Sequence, residues 1–350
     1  MRRALDHRMT SGVLKGHRAV VAAAIALFLA SLAVLYEYGG LNKWLAVATA
    51  PAKVGRASTS SLAPEANAFF WQALHGGQYD RIPEAIERLT RAFMDDPYDA
   101  DLARRIAFLH AWRLVERNRL GSIPDNISDE AVLSDHYYKV SRDLAPGDYR
   151  MLGAVAVLEM LNGVLLDDEK LLRQGYHNGL VANRKWPEFN YFTTATALAT
   201  LPHTDPKFKQ ALEWQWKLLD ACGSWQDFKD NLTIEEFAKR YPGDKRVCWD
   251  SLIAPHNMEG TLLHMGDMLV KSGDWQKGVE IYNQIKGVRY YENWPLKDFL
   301  EQRIANAREN VEHFRVDYTR RLREKIERPA MLLHSGYFCV SCHQKEGKVE

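Results

Sequence analysis

The chain has 350 residues, of which 46% are apolar, and its 46 Lys and Arg nearly balance its 45 Asp and Glu. That composition is typical of a globular protein rather than a disordered one. The formal net charge of +1 provides no basic surplus for a phosphate backbone, so we expect no nucleic-acid partner.

The amino terminus predicts a membrane anchor. Residues 19–36 carry no charge, which is about the shortest run that crosses a bilayer core. Residues 1–18 contain the charged side chains Arg2, Arg3, Asp6, Arg8, Lys15 and Arg18. Because cytoplasmic flanks carry excess Lys and Arg, we predict a cytoplasmic segment over 1–18, a single-pass signal anchor over 19–38, and a periplasmic remainder at a bacterial inner membrane. A cleaved signal peptide is the alternative, with Ala48-Thr49-Ala50 as its cleavage pattern.

A tether and a helical region follow the anchor. Residues 39–61 include Ala-Pro-Ala-Lys and Ser-Thr-Ser-Ser, as expected of a short tether. Helical periodicity dominates residues 62–292, and Leu102, Ile106 and Leu109 fall on one helical face. Pro and Gly interrupt the periodic stretches at short intervals, which predicts an all-α fold of paired antiparallel helices.

Three stretches of this region resemble the tetratricopeptide repeat family. The first is 262–269 followed by Gly273-Asp274-Trp275, Gly278 and Tyr282; the second is Ala85, Leu89, Ala92 and Pro97; the third and weakest is Ser134, Tyr138, Ser141 and Pro146. The first departs from the family in having Leu262 where Trp is favoured and Gly278 where Ala is favoured. The resemblance implies an α-solenoid with a concave surface, and we expect that surface to bind a membrane protein complex or a redox partner.

A long amphipathic helix is predicted for residues 293–328. Its apolar positions recur every three or four residues without interruption across 296–327: Leu300, Ile304, Ala307, Val311, Phe314, Tyr318, Leu322 and Ile326. Pro329 would end it.

The tail, residues 329–350, contains the most specific motif of the chain. Cys339-Val340-Ser341-Cys342-His343 is a CxxCH sequence, the pattern of c-type haem attachment. The two thiols can each add to a vinyl group of one porphyrin, and the adjacent imidazole can bind the iron. We therefore predict one covalent haem c, with Cys339 and Cys342 as thioether positions and His343 as the proximal ligand.

Other uses of these cysteines are open. Cys222 and Cys248 could complete a four-thiolate zinc site, or the CxxC pair could be a redox disulfide or two ordinary cysteines. The predicted oxidising compartment favours haem, since it leaves Cys222 and Cys248 to form a disulfide with each other.

The sixth iron ligand has several candidates. His334 is the nearest histidine in sequence and Met331 lies close by, while a more distant set comprises His256, Met258, His264, Met265 and Met268. We name His334 as the possible distal ligand. The position of CxxCH near the carboxyl terminus also resembles the helical-bundle class of cytochrome c, on the motif and the helical context alone.

These features predict a membrane-anchored periplasmic c-type cytochrome that transfers one electron at a time within a respiratory or photosynthetic complex. No catalytic constellation stands out, so we expect an electron carrier or complex subunit rather than a catalyst. The alternative is a repeat scaffold or assembly factor for a membrane complex, with a structural haem or zinc at the CxxCH motif.

Overall fold

The structure is a computed structural model that describes residues 20–34, 36, 40–222, 256–288, 291–316 and 329–345. The chain divides into two compact units, Met1–Lys53 and Val54–Glu350. The regular elements in the described ranges are all helices, with no strand among them, so the predicted all-α fold is confirmed.

The first unit contains the predicted anchor. Residues 20–34 are helical and are followed by helix α1, Gly40–Ala48. Apolar side chains such as Leu27 and Phe28 are exposed along the first of these helices. Within the described ranges, no helix is both long enough and apolar enough to cross a bilayer. Residues 1–19, 35 and 37–39, which include both ends of the predicted anchor, lie outside those ranges.

The second unit begins inside the segment predicted as a tether. The Arg56 guanidinium donates to both carboxylate oxygens of Asp96, at 2.5 and 2.8 Å, and Thr59 donates its N–H and hydroxyl to the same carboxylate. These bonds hold the pKa of Asp96 well below its usual value. Residues 54–61, the last part of the predicted tether, therefore belong to the second unit.

The remaining helices all belong to the second unit. In chain order they are α2 (Ala63–His75), α3 (Ile82–Asp95), α4 (Ala100–Val115), α5 (Asp129–Leu144), α6 (Tyr149–Leu166), α7 (Glu169–Lys185), α8 (Pro187–Leu198), α9 (Pro206–Cys222), α10 (Met258–Ser272), α11 (Trp275–Gln284), α12 (Lys297–Ala305), α13 (Ala307–Arg315) and α14 (Phe338–His343). From α2 to α9 each helix packs against the next, as does α10 against α11.

Local sequence explains where many of these helices begin and end. The carboxylate of Asp99 accepts the backbone N–H groups of Asp101 and Leu102 at the start of α4, and Asp274 caps α11 in the same way through Lys277. Gly273 ends α10 in the left-handed conformation, with φ +106°. The Gly-Asp pair thus closes one helix and opens the next.

Small residues bring neighbouring helices close together at the positions that suggested repeats. Ser134 and Ser141 of α5 donate their hydroxyls to the carbonyls of Ala107 and Ala100 on α4, at 2.9 and 2.8 Å. At Gly266 of α10 an added methyl group would lie 2.2 Å from a ring carbon of Tyr282 on α11. The helix pairs are therefore closely packed, while the resemblance to the tetratricopeptide family stays a prediction.

The predicted uninterrupted helix over 296–327 is wrong in the part that the structure describes. Asn306, with φ −106° and ψ 13°, separates α12 from α13. The break allows α13 to pack against α10, while α12 contacts α11. Periodicity continues across Asn306 because both helices bury one apolar face. Residues 317–328, the second half of the prediction, lie outside the described ranges.

A buried ionic network joins these helices to the tail. Asp267 of α10 is fully buried and accepts the Tyr282 hydroxyl at 2.5 Å and the Leu332 N–H at 2.5 Å. The Arg303 guanidinium of α12 lies 3.2 Å from the same carboxylate and also donates to the carbonyl of Ala330. Because charges out of water need such partners, this network fixes where the tail starts.

We expect Asp267→Asn to lower the free energy of unfolding by about 3–5 kcal/mol, because it leaves the Arg303 guanidinium buried without its counter-charge. Glu312→Gln is the matched control: it removes an ion pair with Arg315 at 3.1 Å whose acidic side chain is 76% exposed, and should change stability by about 0.5 kcal/mol or less. Urea unfolding followed by tryptophan fluorescence measures both. Equal effects of the two variants would contradict this interpretation of the network.

Candidate functional site

The CxxCH motif forms a helix of its own. It occupies α14, Phe338–His343, in which Cys339, Cys342 and His343 are all buried. The preceding Gly336 has φ +83°, a conformation that glycine adopts without steric cost, and it turns the chain out of the 3₁₀ turn Leu332–His334. The motif therefore lies on a separate short helix inside the second unit.

A distant carboxylate caps the amino end of this helix. Glu116, fully buried just after α4, accepts the backbone N–H groups of Cys339 and Val340 at 2.8 and 3.0 Å through one oxygen. Its other oxygen accepts the Trp112 indole N–H at 2.8 Å and the Arg119 guanidinium at 3.0 Å. Helix starts leave such N–H groups without intrahelical partners, so Glu116 both satisfies and locates α14.

The carboxyl end is held by elements from the other half of the chain. The Asn257 N–H donates to the carbonyl of Cys342 at 2.7 Å, and the Trp294 indole donates to the carbonyl of Ser341 at 3.0 Å. At Gly260 of α10 an added methyl group would lie 2.5 Å from the Cys342 sulfur. Helix α10 thus approaches the motif closely enough that position 260 has no room for a side chain.

The motif faces an apolar cavity. The cavity volume is about 230 Å³. Its walls come from α2, α4, α5, α6, α8 and the tail, and the lining side chains include Phe70, Trp71, Leu74, Phe108, Ala111, Val115, Tyr138, Met151, Ala154, Val157, Leu158, Leu161, Phe189, Phe192 and Leu333. Pockets for cofactors are mostly apolar, as this cavity is.

Both motif thiols and two imidazoles line the cavity together. Cys339, Cys342 and His343 contribute from α14, and His256 contributes from the residue that precedes Asn257. The rings of His256 and His343 are 4.6 Å apart between centroids, and Phe108 meets the His343 ring edge-on at 5.0 Å. Burial lowers the pKa of His256 to about 4, so its imidazole is neutral at pH 7.

The two thiols are protonated in this environment. Burial raises the pKa of Cys342 to about 12. It also raises the pKa of Cys339 well above its usual value, and the nearby Glu116 charge adds to that shift. Neither sulfur is therefore a reactive thiolate in the folded chain.

Two arginines add positive charge to the cavity wall. Arg104 and Arg105 both line it, and Arg105 donates to the side chain of Asn67 at 2.5 Å while Arg104 pairs with Asp101 at 2.8 Å. In the part of the chain that the structure describes, the Nε of each guanidinium has no hydrogen-bond partner. Burial and the charge of Arg104 lower the pKa of Arg105, which means that this corner would favour an anion.

The other predicted iron ligands lie elsewhere. His334 ends the turn Leu332–His334, and its neighbour Leu333 is the residue of that turn that lines the cavity. His264 is fully buried in α10 between the rings of Phe192 and Phe338, at 5.7 Å from each. The remaining candidates belong to the apolar core: Met258, Met265, Met268 and Met331.

Of the other two cysteines, one lies within the described residues and one does not. Cys222 is the last residue of α9, and Cys248 lies outside the described residues, so the predicted disulfide and the four-thiolate zinc site lie outside them as well. Among the residues that are described, no group of three or more His, Cys, Asp or Glu side chains could hold a metal ion.

Sequence reasoning missed Glu116, the arginine pair and the cavity walls. Glu116 follows α4 and lies 223 residues before Cys339, and nothing in its local sequence indicates a cap for a distant helix. Helical periodicity over 62–292 predicts amphipathic helices, but it gives no sign that apolar residues of α6 face a cavity.

Comparisons of the chain with protein-family models, curated proteins and solved structures find no match.

We expect Glu116→Ala to release α14, because four N–H donors lose their common acceptor; the expected loss of stability is about 3–5 kcal/mol. Hydrogen exchange read by mass spectrometry should show lost protection in the peptide that contains Cys339 and Val340. Glu130→Ala is the control, since Glu130 pairs with His110 and Arg113 and has no hydrogen bond to α14. If the α14 peptide exchanges equally slowly in Glu116→Ala and in the unmodified chain, the capping role is wrong.

A second prediction concerns pH. Burial lowers the pKa of His264 from 6.5 to about 4, and within the described ranges neither ring nitrogen has a hydrogen-bond partner. The unfolded chain therefore binds a proton more readily than the folded chain, and stability falls as the pH drops from 6.5 through 4, by about 3 kcal/mol for this residue. Urea unfolding at pH 7.5 and pH 4.5 should show a smaller acid loss in His264→Leu than in the unmodified chain. An identical acid loss in both would mean that His264 is not the group responsible.

Proposed function

We propose that the second unit is a c-type cytochrome that carries one covalent haem and transfers one electron at a time. The observation that carries the proposal is the joint location of Cys339, Cys342 and His343 on the wall of one apolar cavity. A CxxCH pattern can occur by chance, but a chance pattern would not be expected to place both thiols and the imidazole on the wall of one apolar cavity.

The residues of the cavity fit a haem. A porphyrin has two large apolar faces, which the aromatic and aliphatic walls from α2, α4, α6 and α8 would cover. Cys339 and Cys342 would hold it through thioethers and His343 would bind the iron. Arg104 and Arg105 supply cations at the cavity wall for the two carboxylates of the group.

Bound there, the haem iron would supply a one-electron redox couple. The chain's own contribution is to keep water from the porphyrin faces and to hold the His343 imidazole in a fixed orientation. The cap from Glu116 and the bonds from Asn257 and Trp294 serve that purpose, because they fix both ends of the helix that contains His343.

We further propose that the protein is tethered to a bacterial inner membrane through residues 19–38 and that the cytochrome unit is periplasmic. The uncharged run, the basic residues before it and the exposed apolar side chains of residues 20–34 support this. The helix pairs would dock the haem unit to a respiratory or photosynthetic complex or to a redox partner, and the tetratricopeptide-like offsets support that part.

The test is haem content in the full chain, made in a host with haem-attachment machinery. We expect a pyridine haemochrome spectrum of one haem per chain, and Cys339→Ser combined with Cys342→Ser should abolish covalent haem. Cys222→Ser is the matched control and should retain it. Full occupancy in the double variant, or none in the unmodified chain, would refute the cytochrome assignment.

A further inference from the structure

The cavity contains a second imidazole that the CxxCH motif does not explain. Apart from the motif, the lining side chains with an atom able to bind iron are His256, Met151 and Tyr138. Of these, His256 has its ring against that of His343, with the centroids 4.6 Å apart, so the two rings would have to separate to admit an iron between them. His343 belongs to α14, and His256 lies two residues before the start of α10.

We propose that His256 is the second axial ligand of the haem iron, so that His256 and His343 bind the metal from the two faces of the porphyrin. This inference rests on the proposed cytochrome function. It replaces His334, the histidine nearest in sequence, with one that is distant in sequence and adjacent in space.

The backbone around His256 is held for this role. The next residue, Asn257, donates its N–H to the Cys342 carbonyl at 2.7 Å, and its side chain accepts the Gly260 N–H at 2.9 Å as the cap of α10. His256 is thus one residue away from a direct bond to the motif helix. An iron ligand needs such support, because the residues around it determine where its ring lies. Here the hydrogen bonds of Asn257 fix the backbone from which the His256 side chain extends.

The walls around the ring also fit a ligand. Phe192 and Phe189 lie beside the imidazole, at 5.2 and 5.8 Å between ring centroids, and line the same cavity. These rings provide apolar cover and no competing charge. From the turn Leu332–His334, Leu333 lines the cavity and His334 does not. His334 therefore lacks the position beside the motif that His256 has.

The experiment compares the ferric full chain, haem loaded, with single variants by absorption and electron paramagnetic resonance. The unmodified chain should show a six-coordinate low-spin haem with two imidazole ligands. His256→Ala should keep its covalent haem content but lose the low-spin signal, and added imidazole should restore it. His334→Ala should leave the spectrum unchanged.

His256→Met gives a second measurement that does not depend on an alanine cavity. It should remain low spin and shift the reduction potential upward, because a thioether ligand raises the potential relative to an imidazole. An unchanged low-spin spectrum in His256→Ala without imidazole, or a loss of that spectrum in His334→Ala alone, would overturn the assignment. Covalent haem at one per chain in these variants would leave the cytochrome proposal standing. An unmodified chain without covalent haem would instead overturn the cytochrome proposal, and this assignment with it.

Discussion

The candidate site depends on one buried carboxylate. Glu116 receives two backbone N–H groups of α14, an indole N–H and a guanidinium. These donors offset part of the cost of removing its charge from water, while burial still raises the pKa of Glu116. Without it the first turn of α14 would have unsatisfied N–H groups inside the protein. Burying α14 would then cost free energy, and we expect that the motif would no longer lie on the cavity wall.

Helix α14 also contacts two separate apolar clusters of the core. Cys339 and Val340 pack in the apolar cluster built mainly from α2 to α4, whereas Cys342 packs with Phe192 and Leu218 from α8 and α9. The tail is fixed at a second point, where buried Asp267 accepts the Leu332 N–H and pairs with Arg303. Both anchors follow one pattern: a buried carboxylate receives tail N–H groups and has an arginine as counter-charge. The tail cannot shift along the core without unpairing one of these groups, so the relation of the motif to the cavity is rigid.

Local features of this fold could be predicted from the sequence and non-local ones could not. Helical periodicity, Gly273 and Asp274 gave the all-α fold and a correct helix boundary, because caps and amphipathic faces act over a few residues. The break at Asn306 was missed, since both flanking helices keep one apolar face in phase. The motif itself was visible because its chemistry lies within five consecutive residues. Its surroundings were not, because Glu116 reaches it only through the packing of the chain. The sequence offered His256 as one of several candidate ligands, and only the packing places its ring beside that of His343.

The charges around the cavity would have opposite effects on the proposed haem iron. Glu116 lies against the backbone of Cys339, so its ionised form would stabilise added positive charge in the cavity, as in an oxidised iron, although burial raises the pKa of Glu116. Arg104 and Arg105 act in the opposite direction from the α4 wall, although carboxylates of the bound group would neutralise part of their charge. Because the apolar walls screen these charges much less than water would, a small change in either charge would have a large effect on the electrostatic potential in the cavity. In the proposed cytochrome the axial ligands would set the range of the reduction potential, and these charges would adjust it.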